Sequence, residues 1–411
     1  MRIYVFIERY PNPYKPYIDA QLVEFLRLGH EVMIFAGGAY RGTVHQEVLS
    51  YRLEEKARYY PETLKDLPKH FLASMFRLIS APTNRLSRIY RSVDKNRSLK
   101  FNLMAIARML VLPTQPPDLC LIHNLSTVAS LSFLPAYYPE SRVVMYFHGG
   151  EVGGAPRVGG EHGLFSRMHA VFTNTQYSRN LAVSRGCKSD KVIILPVGFS
   201  LADYPMPSGK RYRPDGTLRL VSVGRLGKEK GFQVALEAVK QLVSSGYTSI
   251  HYSIVGNGQQ HSELRKFVED NRLGEYVTFM GELEKREVVH ALAGSDVLVL
   301  PSLITETWAE TQACVVQEAM LMGLIAITTV AGGVPESIPP EMKEFSVEPG
   351  DARAISAKVT DILGKDEREL LRLGEAGRKF VVENYDIVQI TKTLLAQADF
   401  ANAHRFGDQA G

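Results

Sequence analysis

One stretch, residues 301–336, constrains the fold of this chain more than any other. An apolar run at residues 297–300 ends at Pro301, and after a polar loop a helical pattern runs from about Gln312 to Gly323, where a second apolar run starts. This order predicts a strand, a loop, a helix and a second strand, which is a βαβ unit. The loop of such a unit leads into a helix start with unpaired backbone N–H groups, which suits phosphate oxygens. The stretch therefore predicts a parallel sheet with an anion-binding edge.

Two glutamates, Glu310 and Glu318, frame this predicted helix start. A solvated helix face is the usual place for a glutamate, and that alternative stays open. The segment around them is nearly apolar, however, so a carboxylate there is either buried with a partner or faces a ligand. Because carboxylates accept hydrogen bonds and sugar hydroxyls donate them, the pair is a candidate site for a sugar.

The ordered motifs of this region carry a resemblance to a known family. Pro301-Ser302, the two glutamates, EAMLMG at residues 318–323 and AGGVPE at residues 331–336 resemble the donor-site signature of retaining GT-B glycosyltransferases of glycosyltransferase family 4. The resemblance covers most of the C-terminal half closely and the N-terminal half more loosely. It implies an α/β protein of GT-B architecture, in which two doubly wound, Rossmann-like domains face a cleft. It also implies that Glu310 contacts the transferred sugar and that Glu318 holds the ribose hydroxyls of the nucleotide.

Length and composition agree with two globular domains. The chain has 411 residues, 45% of them hydrophobic and 22% charged, which is too long for one ordinary core. No apolar stretch is long enough to span a bilayer, and the N-terminal MRIYVFI is too short for a signal-peptide core, so we expect a cytoplasmic protein. The three cysteines are isolated, which predicts neither a disulfide framework nor a metal site.

The predicted domains meet at a linker rich in proline and polar residues. Residues 1–203 form an acceptor-binding domain, with a basic helical insertion at about 60–112, and residues 204–385 form the domain that binds the nucleotide sugar. The resemblance implies that a last helix, at about residues 386–403, crosses back and joins the first domain. Between residues 43 and 117 the sheet pattern pauses.

A glycine-rich turn follows the first predicted strand of the second half. The sequence GRLGKEKGF at residues 224–232 resembles the diphosphate-binding turn of the family, which implies that Arg225 and Lys230 face the phosphates of the nucleotide. A lone surface cation is usually only solvated, but these two flank a glycine turn at a strand end. The resemblance also implies that Gly256 and Gly281 let the backbone approach the nucleotide.

The acceptor side is predicted at the strand ends of the first half. His123 and His148 both stand where a predicted parallel strand ends, the edge at which such sheets bind ligands. A structural role for His123 stays open, whereas His148 in FHGG resembles the family histidine that touches the donor sugar near the reacting centre. Gly149 and Lys15 are further acceptor-side candidates, although a simple solvated lysine is the more usual role for Lys15.

The loop after the predicted strand departs from the family pattern. Relatives commonly carry Gly-Phe-Gly after the first glutamate, whereas this chain has Thr311, Gln312 and Ala313, which are the corresponding donor-binding candidates. The methyl of Ala313 would crowd a backbone with positive φ, so either the loop adopts an ordinary conformation or the sugar pocket differs. Glu306 competes for the first-glutamate role, but only Glu310 keeps the family spacing to Glu318.

Basic charge is concentrated in the insertion. Residues 65–110 contain ten basic and two acidic residues, although the whole chain carries a net charge of only +4. Leu86, Ile89, Tyr90 and Val93 fall at helical spacing with three arginines between them. This pattern predicts either a helix at an anionic membrane surface or a surface helix whose apolar stripe packs on the core. Nucleic acid is a weaker interpretation, since no recognised motif accompanies the charge.

The sequence therefore predicts a retaining, metal-independent hexosyltransferase. It needs no cofactor, takes a UDP- or GDP-linked sugar as its donor, and uses a glycan or lipid-linked acceptor. A peripheral location at the inner face of the membrane stays open. The predicted catalytic residues are Glu310, His148, Lys230 and Arg225. Three alternatives stay open: an enzyme of the same fold that acts on sugar phosphates, one that epimerises a nucleotide sugar, and a catalytically silent binding scaffold.

Overall fold

The computed structural model of the chain describes residues 1–12, 15–39, 45–67, 83–149, 161–206 and 209–400. Residues 68–82 of the predicted insertion and residues 401–403 of the predicted last helix lie outside these ranges.

The described strands form two parallel sheets. The first contains β1 (Arg2–Arg9), β2 (Glu31–Gly38), β3 (Ala57–Tyr59), β4 (Leu119–His123), β5 (Arg142–Phe147), β6 (Ala170–Thr173) and β7 (Val192–Ile194), in the order β3-β2-β1-β4-β5-β6-β7. The second contains β8 (Leu218–Val223), β9 (Ile250–Val255), β10 (Val277–Gly281), β11 (Val297–Leu300), β12 (Ile325–Thr329) and β13 (Ser346–Val347), in the order β10-β9-β8-β11-β12-β13. The order reverses direction next to β1 and β8, as in doubly wound sheets. The predicted fold class is confirmed.

Helices cover both faces of each sheet. In the first half they are α1 (Pro16–Arg27), α2 (Gln46–Ser50), α3 (Thr83–Ser92), α4 (Leu99–Val111), α5 (Leu125–Ser130), α6 (Leu134–Tyr137), α7 (Glu161–Ser166) and α8 (Gln176–Ser184). In the second half they are α9 (Phe232–Ser244), α10 (His261–Asp270), α11 (Lys285–Ala293), α12 (Cys314–Leu321), α13 (Ala352–Gly364), α14 (Glu367–Asn384) and α15 (Ile387–Phe400).

Strand β1 shows why the first sheet is buried on both faces. Its side chains point alternately to opposite sides, so Tyr4 and Phe6 join one hydrophobic cluster while Ile3, Val5 and Ile7 join the other. A near-continuous apolar run is what a parallel sheet between two helical layers requires. The cluster that contains Ile3, Val5 and Ile7 also includes three residues of α15, namely Ile390, Leu394 and Ala398.

Two backbone hydrogen bonds at Phe199 join the two halves of the chain. The backbone N–H of Phe199 donates to the carbonyl of Tyr385 at 2.8 Å, and the N–H of Ile387 donates to the carbonyl of Phe199 at 3.0 Å. Gly198 allows this close approach, since a Cβ there would lie 2.8 Å from the Cα of Ile387. The domain limits at residues 203 and 385 stay a prediction.

The expected pause of the sheet between residues 43 and 117 is wrong at one point. Strand β3 pairs with β2 there, with Ala57 opposite Ile34 and Tyr59 opposite Ala36. The strand has only three residues, two of them exposed at the sheet edge, so it leaves no apolar run in the sequence.

The basic insertion contains helix α3, and the structure shows which of its side chains are buried. Arg85 of α3 is buried, and its Nη2 donates to the carbonyls of Leu110 and Leu112 at 2.7 and 3.1 Å. The last carbonyls of α4 have no partner within their helix, and this guanidinium supplies one. Leu86 and Tyr90 are exposed instead, whereas Ile89 is buried. The helix therefore has an arginine on its inner face and apolar side chains on its outer face.

Candidate functional site

Three glycine turns line the carboxyl edge of the second sheet. Gly224 follows β8, Gly256 follows β9, and Gly281 ends β10. The N–H of Gly256 donates to the carbonyl of Gly281 at 2.7 Å, and a Cβ on Gly256, whose φ is +130°, would lie 1.9 Å from the carbonyl oxygen of Gly224. Only glycine fits that position, so the turns bring backbone close to any ligand at this edge. The predicted places of Gly256 and Gly281 agree with this arrangement.

The glycine turn and the acidic helix start meet in space. Lys230 Nζ lies 2.5 Å from Oε1 of Glu310, and the hydroxyl of Ser302 donates to the same oxygen at 3.1 Å. Glu310 is buried, while Lys230 remains partly accessible, with its ammonium 4.7 Å from the ring centre of Trp308. A buried carboxylate and a cation are thereby held together, and each keeps hydrogen-bonding capacity for a ligand.

The loop that carries Glu310 is supported from behind by a second pair of glycines. A Cβ on Gly332 would lie 2.0 Å from the carbonyl oxygen of Glu310, and one on Gly333 would lie 2.0 Å from that of Thr311. The N–H of Gly333 donates to the Glu310 carbonyl at 2.8 Å. Ala313 has a φ of −82°, so the loop takes an ordinary backbone conformation at the position where relatives carry glycine.

Gln312 and Thr311 face the first domain. The side chain of Gln312 accepts from the N–H of Val197 at 2.7 Å and donates to the Val197 carbonyl at 3.0 Å. Gly149 has a φ of +69°, and a Cβ there would lie 3.0 Å from the methyl of Thr311. The predicted donor-side and acceptor-side residues thus touch across the cleft. The two hydrogen bonds of Gln312 are made to protein backbone.

Arg225 is placed differently from Lys230. Its guanidinium pairs with Glu229 at 2.5 Å, and its side chain is 62% exposed. Arg225 nevertheless lines the same cavity as Gly224 and Gly256. The sequence predicted two equivalent cations, whereas only Lys230 contacts the buried Glu310.

Glu318 lines the same cavity as Arg225, Gly224 and Gly256. The cavity has a volume of about 150 Å³, and its lining includes Lys285 together with Pro16 and His45 of the first half. The hydroxyl of Tyr204 donates to Glu318 Oε1 at 2.8 Å, and burial raises the pKa of the Glu318 carboxyl. The position suits an acceptor of hydrogen bonds from ligand hydroxyls.

The two predicted histidines form a pair at the edge of the first sheet. Nδ1 of His123 lies 3.1 Å from Nε2 of His148, with the two rings nearly parallel. Burial, and then the charge of Lys15, lowers the pKa of His148 from 6.5 to about 3. Burial also lowers the pKa of His123 well below its usual value, with smaller contributions from His148 and Lys15. Both rings are therefore neutral near pH 7, and Lys15 lies close enough to affect both.

Acid should weaken the fold through this pair. An unfolded histidine takes up a proton below about pH 6.5, whereas folded His148 does so only near pH 3. The contribution of His148 to the free energy of unfolding is therefore fully present above about pH 6.5. It is lost as the pH drops towards 3, by about 1.4 kcal/mol per pH unit for such a histidine. We expect His148→Gln to lose less stability than the wild type between pH 7 and pH 5 in urea unfolding.

The matched control for this measurement is His290→Gln, because His290 is exposed on α11. Its loss of stability between the two pH values should equal that of the wild type. Equal losses in the His148 and His290 variants would contradict a depressed pKa at His148.

Some contacts at this site were missed in the sequence. Lys285, which lines the cavity, bridges Glu47 of α2 at 2.5 Å and Asp203 at 2.6 Å and so connects the cavity wall to the first domain. No local pattern in the sequence indicates that Lys285 contacts Glu47, because the two residues are 238 positions apart. Trp308 was also missed, although the sequence contains a signal for it: the single tryptophan of the chain stands two residues before Glu310.

Part of the second half of the chain matches a known protein family. Residues 209–380 match the family described as Glycosyl transferases group 1. This range contains Lys230, Glu310, Glu318 and the three glycine turns at the edge of the second sheet.

Relatives and solved structures match over nearly the full length. The chain is 26% identical to the colanic acid biosynthesis glycosyltransferase WcaL of Salmonella typhimurium over 410 residues, covering 96% of this chain and 98% of that protein. It is 24% identical to the amylovoran biosynthesis glycosyltransferase AmsK of Erwinia amylovora, covering 87% and 89%. The crystal structure of Anabaena HepE with UDP and glucose superposes with a TM-score of 0.70 at 13% identity, covering 97% and 99%. The last comparison supports the GT-B fold.

Proposed function

We propose that the protein transfers a hexose from a nucleotide-diphosphate sugar to an acceptor hydroxyl, because residues 209–380 match the family described as Glycosyl transferases group 1. The acceptor is a glycan or a lipid-linked sugar in the synthesis of a cell-surface polysaccharide; the similar proteins WcaL and AmsK are named for colanic acid and amylovoran biosynthesis. The observation that carries the proposal is the contact between Lys230 and Glu310 at the glycine-lined sheet edge.

Each part of the cleft has a role in this proposal. Glu318 and the cavity around it receive the nucleoside, and the turns at Gly256 and Gly281 approach it through backbone groups. Lys230 faces the diphosphate, and Glu310 accepts hydrogen bonds from hydroxyls of the sugar. Arg225 adds a second, more exposed cation beside the diphosphate.

The rate would come mainly from electrostatics and positioning. The leaving nucleoside diphosphate gains negative charge as the glycosidic bond breaks, and the fixed ammonium of Lys230 stabilises that charge. We propose that transfer retains the anomeric configuration, with departure and attack on the same face and a phosphate oxygen taking the proton of the acceptor. Neutral His148 would donate or accept a hydrogen bond beside the sugar. These protein cations make a divalent metal unnecessary in the proposed reaction.

The first test is a thermal-shift panel of UDP-, GDP- and ADP-linked hexoses, followed by product analysis with sugar acceptors. A donor that binds the folded state should raise the melting temperature. UDP-glucose comes first, because the HepE structure contains UDP and glucose. A product whose anomeric configuration matches that of the donor, formed equally with and without EDTA, supports the proposal. Isomerised donor without transfer would indicate an epimerase, and no nucleotide binding would indicate a scaffold.

We also propose that the outer face of the α3–α4 hairpin rests on an anionic membrane. Tyr90 is 74% exposed and Leu99 is 76% exposed, although large apolar side chains usually avoid water. Exposed basic residues lie on the same two helices and their connection, namely Arg91, Lys95, Arg97 and Lys100. Apolar side chains beside cations suit a headgroup layer. Among the described helices, none is long and apolar enough to cross a bilayer.

Vesicle flotation tests this contact. The double variant Tyr90→Ser, Leu99→Ser should reduce the fraction bound to anionic vesicles at least threefold, since burial of two large side chains is lost. The control is Tyr247→Ser, Val382→Ser, which removes two exposed apolar side chains from the second domain. Equal flotation of both variants, or of wild type with neutral and anionic vesicles, would rule out the proposed surface.

A further inference from the structure

Glu336, in the second half of the chain, contacts the start of a helix in the first half. It ends the short helical turn Val334–Glu336, which follows β12. Its Oε2 accepts a hydrogen bond from the N–H of Gln176 at 2.6 Å, and its Oε1 accepts one from the N–H of Tyr177 at 2.9 Å. Gln176 and Tyr177 are the first two residues of α8. One carboxylate therefore uses both of its oxygens to join the two halves.

This carboxylate completes the cap of α8. The first N–H groups of a helix have no partner within the helix. Thr175 satisfies the third of them, since its hydroxyl accepts from the N–H of Ser178 at 3.2 Å. Glu336 satisfies the first two, and its negative charge lies at the positive end of the helix dipole. The first turn of α8 is thus capped by residues from both halves of the chain.

The turn that carries Glu336 is attached to the loop of Glu310. The N–H of Glu336 donates to the carbonyl of Gly333 at 3.1 Å, and the N–H of Gly333 donates to the carbonyl of Glu310 at 2.8 Å. Pro335 further restricts the backbone between them. Gly333 also lies against α8, because a Cβ there would be 2.7 Å from the hydroxyl of Thr175. A shift of this turn relative to α8 would therefore also shift the loop of Glu310.

The same turn of α8 packs against the residue that follows His148. A Cβ on Gly149 would lie 3.2 Å from the Cβ of Ser178, which is buried in the first turn of α8. On its other side, the same Cβ would lie 3.0 Å from the methyl of Thr311. The start of α8 is therefore in contact with the His148 turn and, through Glu336, with the Glu310 loop.

We infer that Glu336 is a positioning residue, which holds the loop of Glu310 in place relative to His148 by binding the start of α8. Glu310 and His148 belong to different halves of the chain, and a misplacement of about 1 Å between reacting groups is enough to slow a reaction markedly. Glu336 acts through these contacts and needs none with a substrate. The effect on turnover rests on the proposed transferase function, whereas the link between the two halves does not.

Glu336→Gln tests the link, because an amide has only one acceptor oxygen for the two N–H groups. Amide hydrogen exchange of the full chain should become about fivefold faster or more at Gln176 and Tyr177. The decisive amide is that of Val197, which donates to the side chain of Gln312 in the other half. Its exchange should also become about threefold faster or more, since a looser contact at α8 lets the two halves separate there.

Turnover is measured on the same variant. We expect kcat for sugar transfer to fall about fivefold or more, because the two halves of the site are less well aligned. The affinity for UDP, measured by isothermal titration, should stay within about twofold of the wild type, since Lys230 and Glu318 keep their places within the second half. A loss in kcat without a loss in UDP affinity separates misalignment from damage to the nucleotide site.

Asp351→Asn is the matched control. The carboxylate of Asp351 caps α13 by accepting from the N–H of Ala354 at 2.9 Å, so it is a helix cap within the second half alone. This variant should leave both kcat and the exchange of Val197 unchanged.

The inference is overturned if Val197 exchanges as slowly in Glu336→Gln as in the wild type, because Glu336 would then only cap α8. It is also overturned if kcat is unchanged in Glu336→Gln, or if Asp351→Asn lowers kcat as much. A wild-type chain that transfers no sugar would count against the proposed transferase function, whereas the exchange of Val197 would still decide whether Glu336 joins the two halves.

Discussion

Replacing Glu310 by glutamine is expected to lower kcat/KM for sugar transfer by about two orders of magnitude or more. The change removes the negative charge that Lys230 contacts at 2.5 Å and keeps the size of the side chain. An amide also replaces one acceptor oxygen with a donor, so a sugar hydroxyl at that atom loses its partner. Steady-state kinetics with the donor identified in the thermal-shift panel would measure the effect.

Glu306→Gln is the control for this variant. Glu306 lies on the same loop but is exposed, and it competed with Glu310 for the catalytic role on sequence grounds. Its kcat/KM should stay within about twofold of the wild type, as expected for a surface substitution that removes no contact. If Glu310→Gln turns over almost normally, or if Glu306→Gln is the more damaging change, the proposed role of Glu310 is wrong.

Replacing Lys230 by alanine is expected to have an effect of similar size, for a different reason. The ammonium would no longer stabilise the leaving diphosphate, and Glu310 would be left buried without its cation. We expect kcat/KM to fall by about two orders of magnitude or more and the affinity for the free nucleoside diphosphate to fall with it. Isothermal titration with the diphosphate separates the binding effect from the loss in kcat.

Lys228→Ala provides the comparison, since Lys228 is exposed and belongs to the same short turn, Lys228–Lys230. It should bind and turn over like the wild type. The double variant Glu310→Gln, Lys230→Ala should lose much less than the product of the two single losses, because the two side chains touch. Fully multiplicative losses would mean that the two residues act independently, against the proposed arrangement.

Much of the fold was readable from the sequence, because parallel strands buried on both faces leave continuous apolar runs. Strands β8 and β11, with the glycine turn and the loop that follow them, were predicted in this way. The three-residue strand β3 was not, since an exposed edge strand leaves no such run. The sequence also left open which face of α3 meets the core, because periodicity shows which residues share a face but not what that face contacts.

The sequence by itself determined the local features of the candidate site: glycines at the strand ends, a cation in the turn and a glutamate before the helix have fixed spacing along the chain. Only the tertiary structure decided which of these groups meet. It paired Lys230 rather than Arg225 with Glu310, brought His123 against His148, and turned Gln312 towards Val197 of the other domain. The physical reason is that strand order and domain contact place residues far apart in the chain side by side. No local pattern of residues records that placement.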